Sequence, residues 1–233
     1  MRYVLNFYNQ VAAGPVTLTK TFLDILLSRE KDNDNEYIII LPTISPYKDM
    51  NLKQRKKENT RILFIPYPKG IGKFFFLFLY DFVVFPLLIL LFLPRAVLVF
   101  GNFAPIPLIS QKAVLIHHPH LVEDELFMSL ELGTRFVESV KRIIFSFTAR
   151  TSKTIIVETD YMKEKVAEKY NVSKKKILVI KNPISKTLYE QSRKLLEEKN
   201  NILHRERKSV LYVSRYAPHK NYDFFRCSKK VFQ

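Results

Sequence analysis

Cysteine is almost missing from this chain. Cys227 stands alone among 233 residues, so no intrachain disulfide can form and no pair of thiols can hold a metal. One cysteine fits a reducing compartment. Negative charge is also scarce: 22 Asp and Glu stand against 38 Lys and Arg, a net charge of +16. The glycine-rich phosphate loops are lacking, both the P-loop and GxGxxG. No Ser-His-Asp order and no paired carboxylates can be read, and no nucleic-acid-binding motif accompanies the positive charge. The first residues, Met1-Arg-Tyr-Val-Leu-Asn-Phe-Tyr8, have no small-residue cleavage site and read as a strand, so no secretory signal is expected.

What remains is a chain of 47% hydrophobic and 26% charged residues, a balance that excludes a disordered chain and a simple multispan membrane protein. The positive excess is uneven, +11 over residues 111–233 against +5 over residues 1–110. Such charge serves anionic lipid, phosphorylated ligands or nucleic acid, or simply makes a basic surface. With no motif for it, nucleic acid is not expected as a partner.

Short apolar runs alternate with longer helical segments. The strand candidates are Tyr3–Tyr8, Tyr37–Leu41, Arg61–Ile65, Ala96–Phe100, Ala113–His117, Thr154–Val157, Ile177–Ile180 and Val210–Val213. They are rich in Val and Ile and mostly apolar throughout, as strands covered on both faces by helices are. The pattern predicts an α/β chain with a Rossmann-like, doubly wound parallel sheet.

The first strand leads into Asn9-Gln-Val-Ala-Ala-Gly14, then Pro15, then a helix over Thr17 to Ser28. Pro15 suits a first helical turn, and Gly14 permits close backbone approach or a positive φ. A ligand would meet free N–H groups here; a plain tight turn is the alternative. A later helix is expected to begin at Thr159, with Asp160 in its first turn. Residues 1–184 read as one Rossmann-like domain, 185–207 as a polar linker helix, and 208–233 as the opening βα unit of a second domain. The expectation is therefore of a second domain cut short.

Phe74 to Leu93 is a hydrophobic segment of twenty residues that includes Asp81 and Pro86 and is flanked by Lys69, Lys73 and Arg95. It is long enough for a membrane span. A span would set the early and late strands on opposite sides of a bilayer. A buried crossover helix and a helix partly sunk in a membrane surface are the other two readings, and the three phenylalanines at 74–76 favour membrane contact.

Chemistry is carried by a few positions. The strand Ala113–His117 runs into His118-Pro119-His120. Ligands of open parallel sheets sit beyond the carboxyl ends of strands, which makes His117 a site candidate. A hydrogen-bonded histidine with no catalytic task is the alternative, and adjacent His117 and His118 point apart, which argues against metal. Arg215 and Lys220 follow the strand Val210–Val213. Either can meet a diphosphate, with Asn221 opening the next helix toward the same anion.

These pieces together resemble, in order, the retaining glycosyltransferases of the GT-B fold, GT4 type (glycosyl transferases group 1). Asn9-Gln-Val-Ala-Ala-Gly-Pro15 resembles the first acceptor-side loop. His117-His118-Pro119 resembles the strand-end histidine region. Thr154-Ile-Ile-Val-Glu-Thr-Asp-Tyr-Met162 resembles the last strand and helix of the acceptor domain. Ile177-Leu-Val-Ile-Lys-Asn-Pro-Ile184 resembles the crossover, and Val210 to Asn221 the donor domain's first strand with its phosphate-binding loop.

The resemblance covers nearly the whole chain. It implies transfer of a sugar from a UDP- or GDP-linked donor, with retention and with no metal or other cofactor. Ala13 and Gly14 are then near acceptor or diphosphate, His117 near the reacting sugar with His118 beside it, and Arg215 and Lys220 on the diphosphate, with Asn221 as a further candidate. It implies a glycan or lipid-linked acceptor and a peripheral place at the cytoplasmic face of the cell membrane through Phe74–Leu93. The chain departs from the family in having one glycine in the first loop where relatives often have two, and the family's paired glutamates, which hold the donor's sugar and ribose, lie beyond residue 233. That implies an inactive or partner-dependent chain, or a membrane-associated acceptor module that recruits a separate donor-domain chain.

Overall fold

The computed structural model describes residues 1–28, 34–50, 52, 58–68, 70, 72–101, 103–104, 111–181 and 189–194. The chain divides into two compact units, Met1–Ile184 and Ser185–Gln233. In the second, only 189–194 are described, and they are helical. The strand expected at Val210–Val213, the rest of the linker helix, and Arg215, Lys220 and Asn221 lie outside the described residues.

The first unit is a seven-stranded sheet of order β3-β2-β1-β4-β5-β6-β7, every pair parallel. The strands are β1 Arg2–Asn6, β2 Glu36–Pro42, β3 Thr60–Ile65, β4 Ala96–Phe100, β5 Gln111–Ile116, β6 Thr154–Val157 and β7 Ile177–Val179. All seven expected in this unit are present. Their β-branched runs pack well on a pleated surface covered from both sides. Each side chain direction alternates along a strand, so one face carries Leu5, Ile39, Leu41, Phe100 and Leu115 under α1 (Ala13–Ser28) and the short α2 (Ser45–Lys48).

The opposite face carries Val4, Ile38, Ile40, Val97, Val99 and Val114. Val99 pairs with Val114 and Val114 with Ile155, so this face continues into the cluster of Ile116, Ile155 and Val157. Three helices cover it. The first, α3, runs from Lys73–Leu79 through a π turn, Tyr80–Val84, into Phe85–Phe92. After a short α4 (Asp124–Met128) come α5 (Leu132–Thr151) and α6 (Asp160–Tyr170). Thr159 caps α6, its hydroxyl accepting from Met162 N at 3.1 Å, as its sequence position predicts.

The segment 74–93 proves to be the crossover from β3 to β4. Tyr80, Phe85 and Ile89 pack on the sheet, so the segment serves one sheet and does not divide it, which removes the span. Pro86 explains the π turn. It has no N–H to donate and its ring crowds the carbonyl four residues back. One wider turn absorbs both problems and sets Tyr80 and Phe85, five apart, on the same inward side. The Arg2 guanidinium donates to Phe92 O at 2.5 Å, a cation at the negative end of the helix. Leu93 then leaves in the left-handed conformation, φ 45°. The buried-helix reading is also incomplete, because Phe75, Phe76, Phe78, Leu87 and Leu91 are exposed on the far side.

Candidate active site at the carboxyl edge of the sheet

In a sheet of this order, β1 and β4 lie side by side while the chain leaves them in opposite directions. Their carboxyl ends form the crevice where ligands of such sheets sit. The β1 end is built first. Asn6 Oδ1 accepts from Tyr8 N and from Tyr80 Oη, each at 3.0 Å, and the Tyr8 ring lies 3.7 Å from that of Tyr80. Tyr47 Oη donates to Gln10 O at 2.6 Å, and Gln10 Nε2 donates to Phe100 O at the end of β4. The loop after β1 is thereby tied to α2, α3 and β4.

Gly101 follows β4 with φ +145°, and an added Cβ would meet Asn9 Cβ and Gln10 Nε2 at 3.3 Å. The close approach expected at Gly14 is found at Gly101 instead. Gly14 lies within α1, which starts at Ala13 and not at Thr17, with no positive φ and open space where a Cβ would stand. Ala13 and Gly14 are exposed. Both contribute N–H groups from a first turn whose own carbonyls point the other way, and Pro15 contributes none.

Asp81, on the π turn, takes a hydrogen bond from Asn9, and burial pushes its carboxyl up to about 7 against that bond. An ionised carboxylate taken out of water is disfavoured until pH is high enough to force it.

His117 is the first residue past β5, one strand beyond β4. Burial lowers its pKa, with the Glu158 carboxylate at the end of β6 opposing. His118 is likewise lowered by burial, with Glu138 opposing. His118 Nε2 lies 3.0 Å from Glu138 Oε2. A carboxylate only accepts, so Nε2 carries the proton and Nδ1 is the acceptor. Burial raises the Glu138 carboxyl, but Lys141, 2.6 Å from its other oxygen, and His118 outweigh burial and leave it below its ordinary value. Lys141 is the charged partner; His118 is a neutral donor.

The loop after β5 is held by the helices beneath it. Arg142 on α5 donates to His120 O at 2.8 Å, to Glu123 O at 2.9 Å and to Asp124 Oδ1 at 2.7 Å, and stacks 3.7 Å over Phe127. Tyr170 on α6 donates to Leu121 O at 2.5 Å. Sequence spacing could not have found Glu138 or Arg142, which reach back about twenty residues. The one visible signal is that Glu138 is the single acidic residue in the stretch Leu132–Thr151.

Thus Ala13, Gly14, His117 and His118 share the carboxyl edge of the sheet, the first two after β1 and the others after β5, with β4 between. Beside them an open depression of 740 Å³ is lined by Val11, Ser45, Lys48, Tyr67 and Lys73. Another cavity, 390 Å³, lies at the opposite edge by Tyr3, Gln111 and Lys153. Among the described residues no three His, Cys, Asp or Glu converge on a metal position.

No protein-family model matches the chain, and no curated protein does. Solved structures do. The UDP-GlcNAc 2-epimerase of Neisseria meningitidis, bound to UDP-GlcNAc, matches at a TM-score of 0.48 and 13% identity over 100% of this chain and 54% of that one. The UDP-GlcNAc 2-epimerase of Methanocaldococcus jannaschii matches at 0.45 and 15%, over 88% of this chain and 53% of that one. A glycosyltransferase of Rickettsia africae ESF-5 matches at 0.47 and 14%, over 86% and 48%. The chain spans about half the length of each. The chain's own fold is an α/β, Rossmann-like parallel sheet with loops after β1, β4 and β5 at its carboxyl edge.

Proposed function

We propose that the chain forms the acceptor side of a retaining glycosyltransferase of GT4 type that uses a UDP- or GDP-sugar. The reading is supported by one observation above all: the Asn9–Gly14 loop and His117, matched by residue type to that family, share the carboxyl edge of the sheet on either side of β4. In this reading the acceptor enters over the depression lined by Lys48, Tyr67 and Lys73. The acceptor is a glycan or a lipid-linked sugar, and the chain works at the cytoplasmic face of a membrane that it touches through Phe74–Leu93.

Transfer breaks the bond from the anomeric carbon to the diphosphate oxygen and forms one to an acceptor hydroxyl oxygen. The electron pair leaves with the diphosphate, which takes up the hydroxyl proton. Ala13 and Gly14 N–H groups face acceptor or diphosphate. His117, neutral near pH 7 because it is buried, hydrogen-bonds the reacting sugar without adding charge. Its neighbour His118 is fixed by Glu138. This reading assigns Arg215 and Lys220 to the leaving diphosphate, whose developing charge fixed cations stabilise, with Asn221 as a further candidate. No metal or other cofactor takes part.

The test is calorimetric titration of the 233-residue chain with UDP- and GDP-sugars. Saturable binding lost in Arg215→Ala supports the reading. No binding by the folded chain, alone or mixed with a candidate donor-domain chain, removes it. Binding that appears only in the mixture makes the chain a module that recruits a donor partner.

A further inference from the structure

We infer that α3 and α5 form a single surface that docks on an anionic lipid bilayer, with the sheet lying parallel to the membrane. The inference rests on the reading above only for the membrane contact of α3; the part played by α5 is independent of donor chemistry.

The core-facing side of α5 holds Glu138, Phe145, Thr148 and Ala149. At 100° per residue, Leu132, Phe136, Val140, Ile143 and Phe147 all fall on the opposite side, and they are 81%, 73%, 41%, 61% and 56% exposed. The helix thus turns an apolar stripe four turns long away from its own protein. On α3 the outward side is Phe75, Phe76, Phe78, Phe82, Leu87 and Leu91, also exposed. The two helices cover one face of one sheet. Thr148 of α5 accepts from Ala104 N at 3.4 Å and donates to Ala104 O at 3.2 Å, while Ala104 packs in the α3 cluster. Both helices follow a strand and lead into a parallel one, so both run antiparallel to the sheet and present their stripes side by side.

The composition of that surface selects lipid as the occupant. A protein interface has a polar rim and mixed polarity. The exposed α3 side chains from Phe75 to Leu93 are all apolar, and cations stand at the ends: Lys73 and Arg95 for α3, and Arg150 and Lys153 for α5. For α5 both cations lie at the C-terminal end, and Glu131 stands at the other. Apolar width with cations at both ends of α3 and one end of α5, on a chain of net charge +16, matches a surface of buried acyl chains and anionic headgroups. A second copy of the chain, also +16, would be repelled at the same face.

The experiment is co-sedimentation of the full chain with vesicles of phosphatidylcholine alone and with phosphatidylglycerol added at three parts in ten. The variant is Phe136→Gln, Ile143→Gln and Phe147→Gln combined, which keeps the charge; Ile25→Gln on α1, exposed on the other sheet face, is the control. Folding is checked by circular dichroism, and nucleotide-sugar binding is measured on the same samples. The expected result is binding that needs the anionic lipid, falls about tenfold or more in the triple variant, and is unchanged in the control. Absence of vesicle binding by the parent chain overturns the inference. So does binding that the triple variant leaves intact, or a dimer, seen by light scattering, that the triple variant dissociates without any vesicle binding. Loss of nucleotide-sugar binding in every sample counts against the glycosyltransferase reading and leaves the vesicle result standing.

Discussion

Helices α5 and α6 are neighbours on one face of the sheet, and they meet solvent in opposite ways. α6 buries Val166, Ala167 and Tyr170 and exposes Asp160, Glu164 and Glu168. α5 buries Glu138 and Thr148 beside Phe145 and exposes Phe136, Ile143 and Phe147. Across the sheet α1 behaves like α6, showing Thr17, Asp24 and Ser28 outward. An ordinary surface helix keeps its apolar stripe for the core. A helix with apolar residues on both sides and a buried carboxylate has two jobs. The inward job of α5 is to hold the loop after β5 through Glu138 and Arg142, next to the candidate site. Its outward stripe has no counterpart on α1 or α6.

The sharpest way to break this comparison is to truncate phenylalanines two residues apart. Phe145→Ala empties a fully buried position and should cost about 3–5 kcal/mol. Phe147→Ala, on the outward side, should stay within about 0.5 kcal/mol. Urea unfolding of both variants checks this, and equal losses would mean that the outward stripe is packed after all.

Glu138→Ala comes next. It leaves His118 and Lys141 without their shared acceptor, for a loss of roughly 1–3 kcal/mol. The Glu138 carboxyl is held below its ordinary value, so its contribution is present above the unfolded pKa and disappears as pH falls through the folded one. The difference between parent and variant should therefore shrink on acidification. A difference independent of pH would remove the ionic part of the account.

Asp81 gives the opposite sign. Its folded pKa is about 7 against an ordinary 3.8. The folded chain holds a proton between about pH 4 and 7 that the unfolded chain releases, so stability falls as pH rises through that window. Asp81→Asn keeps an acceptor for Asn9 and should gain about 1–2 kcal/mol at pH 8, with almost no change at pH 4. Thermal unfolding at the two pH values measures it; no gain at pH 8 would mean the carboxyl is well solvated.

The smallest effect separates the two helix starts. Thr159→Ala removes the cap of α6 and should cost about 1 kcal/mol. Glu131, at the start of α5, makes no side-chain cap, so Glu131→Ala should change little. Equal losses on denaturant unfolding would contradict that contrast.

The fold was legible because its signal is local. Runs such as Tyr37–Leu41 and Thr154–Val157 are apolar throughout, and a strand buried on both sides needs only that. Helix α3 was legible as a helix, while its role was decided by what Tyr80 and Phe85 pack against. For α5, periodicity alone marks Leu132, Phe136, Val140, Ile143 and Phe147 as the core stripe. The sheet instead receives the side with Phe145 and Ala149, which also sets Glu138 beside His118. His117 could be placed by its position at a strand end, whereas Gly101 and Glu138 depend on loops folding back across many residues. Arg215, Lys220 and Asn221 rest on their place after the strand expected at Val210–Val213 and on the resemblance, and they lie outside the described residues.

The chain contains no tryptophan, which makes a direct test of the two-faced sheet possible. Single tryptophans are placed by Phe78→Trp on α3, Phe147→Trp on α5 and Thr17→Trp on α1, and quenching by brominated lipids in anionic vesicles is recorded for each. The account predicts strong quenching at positions 78 and 147 and none at 17. Equal quenching at all three, or vesicle-bound protein quenched at none, would contradict it.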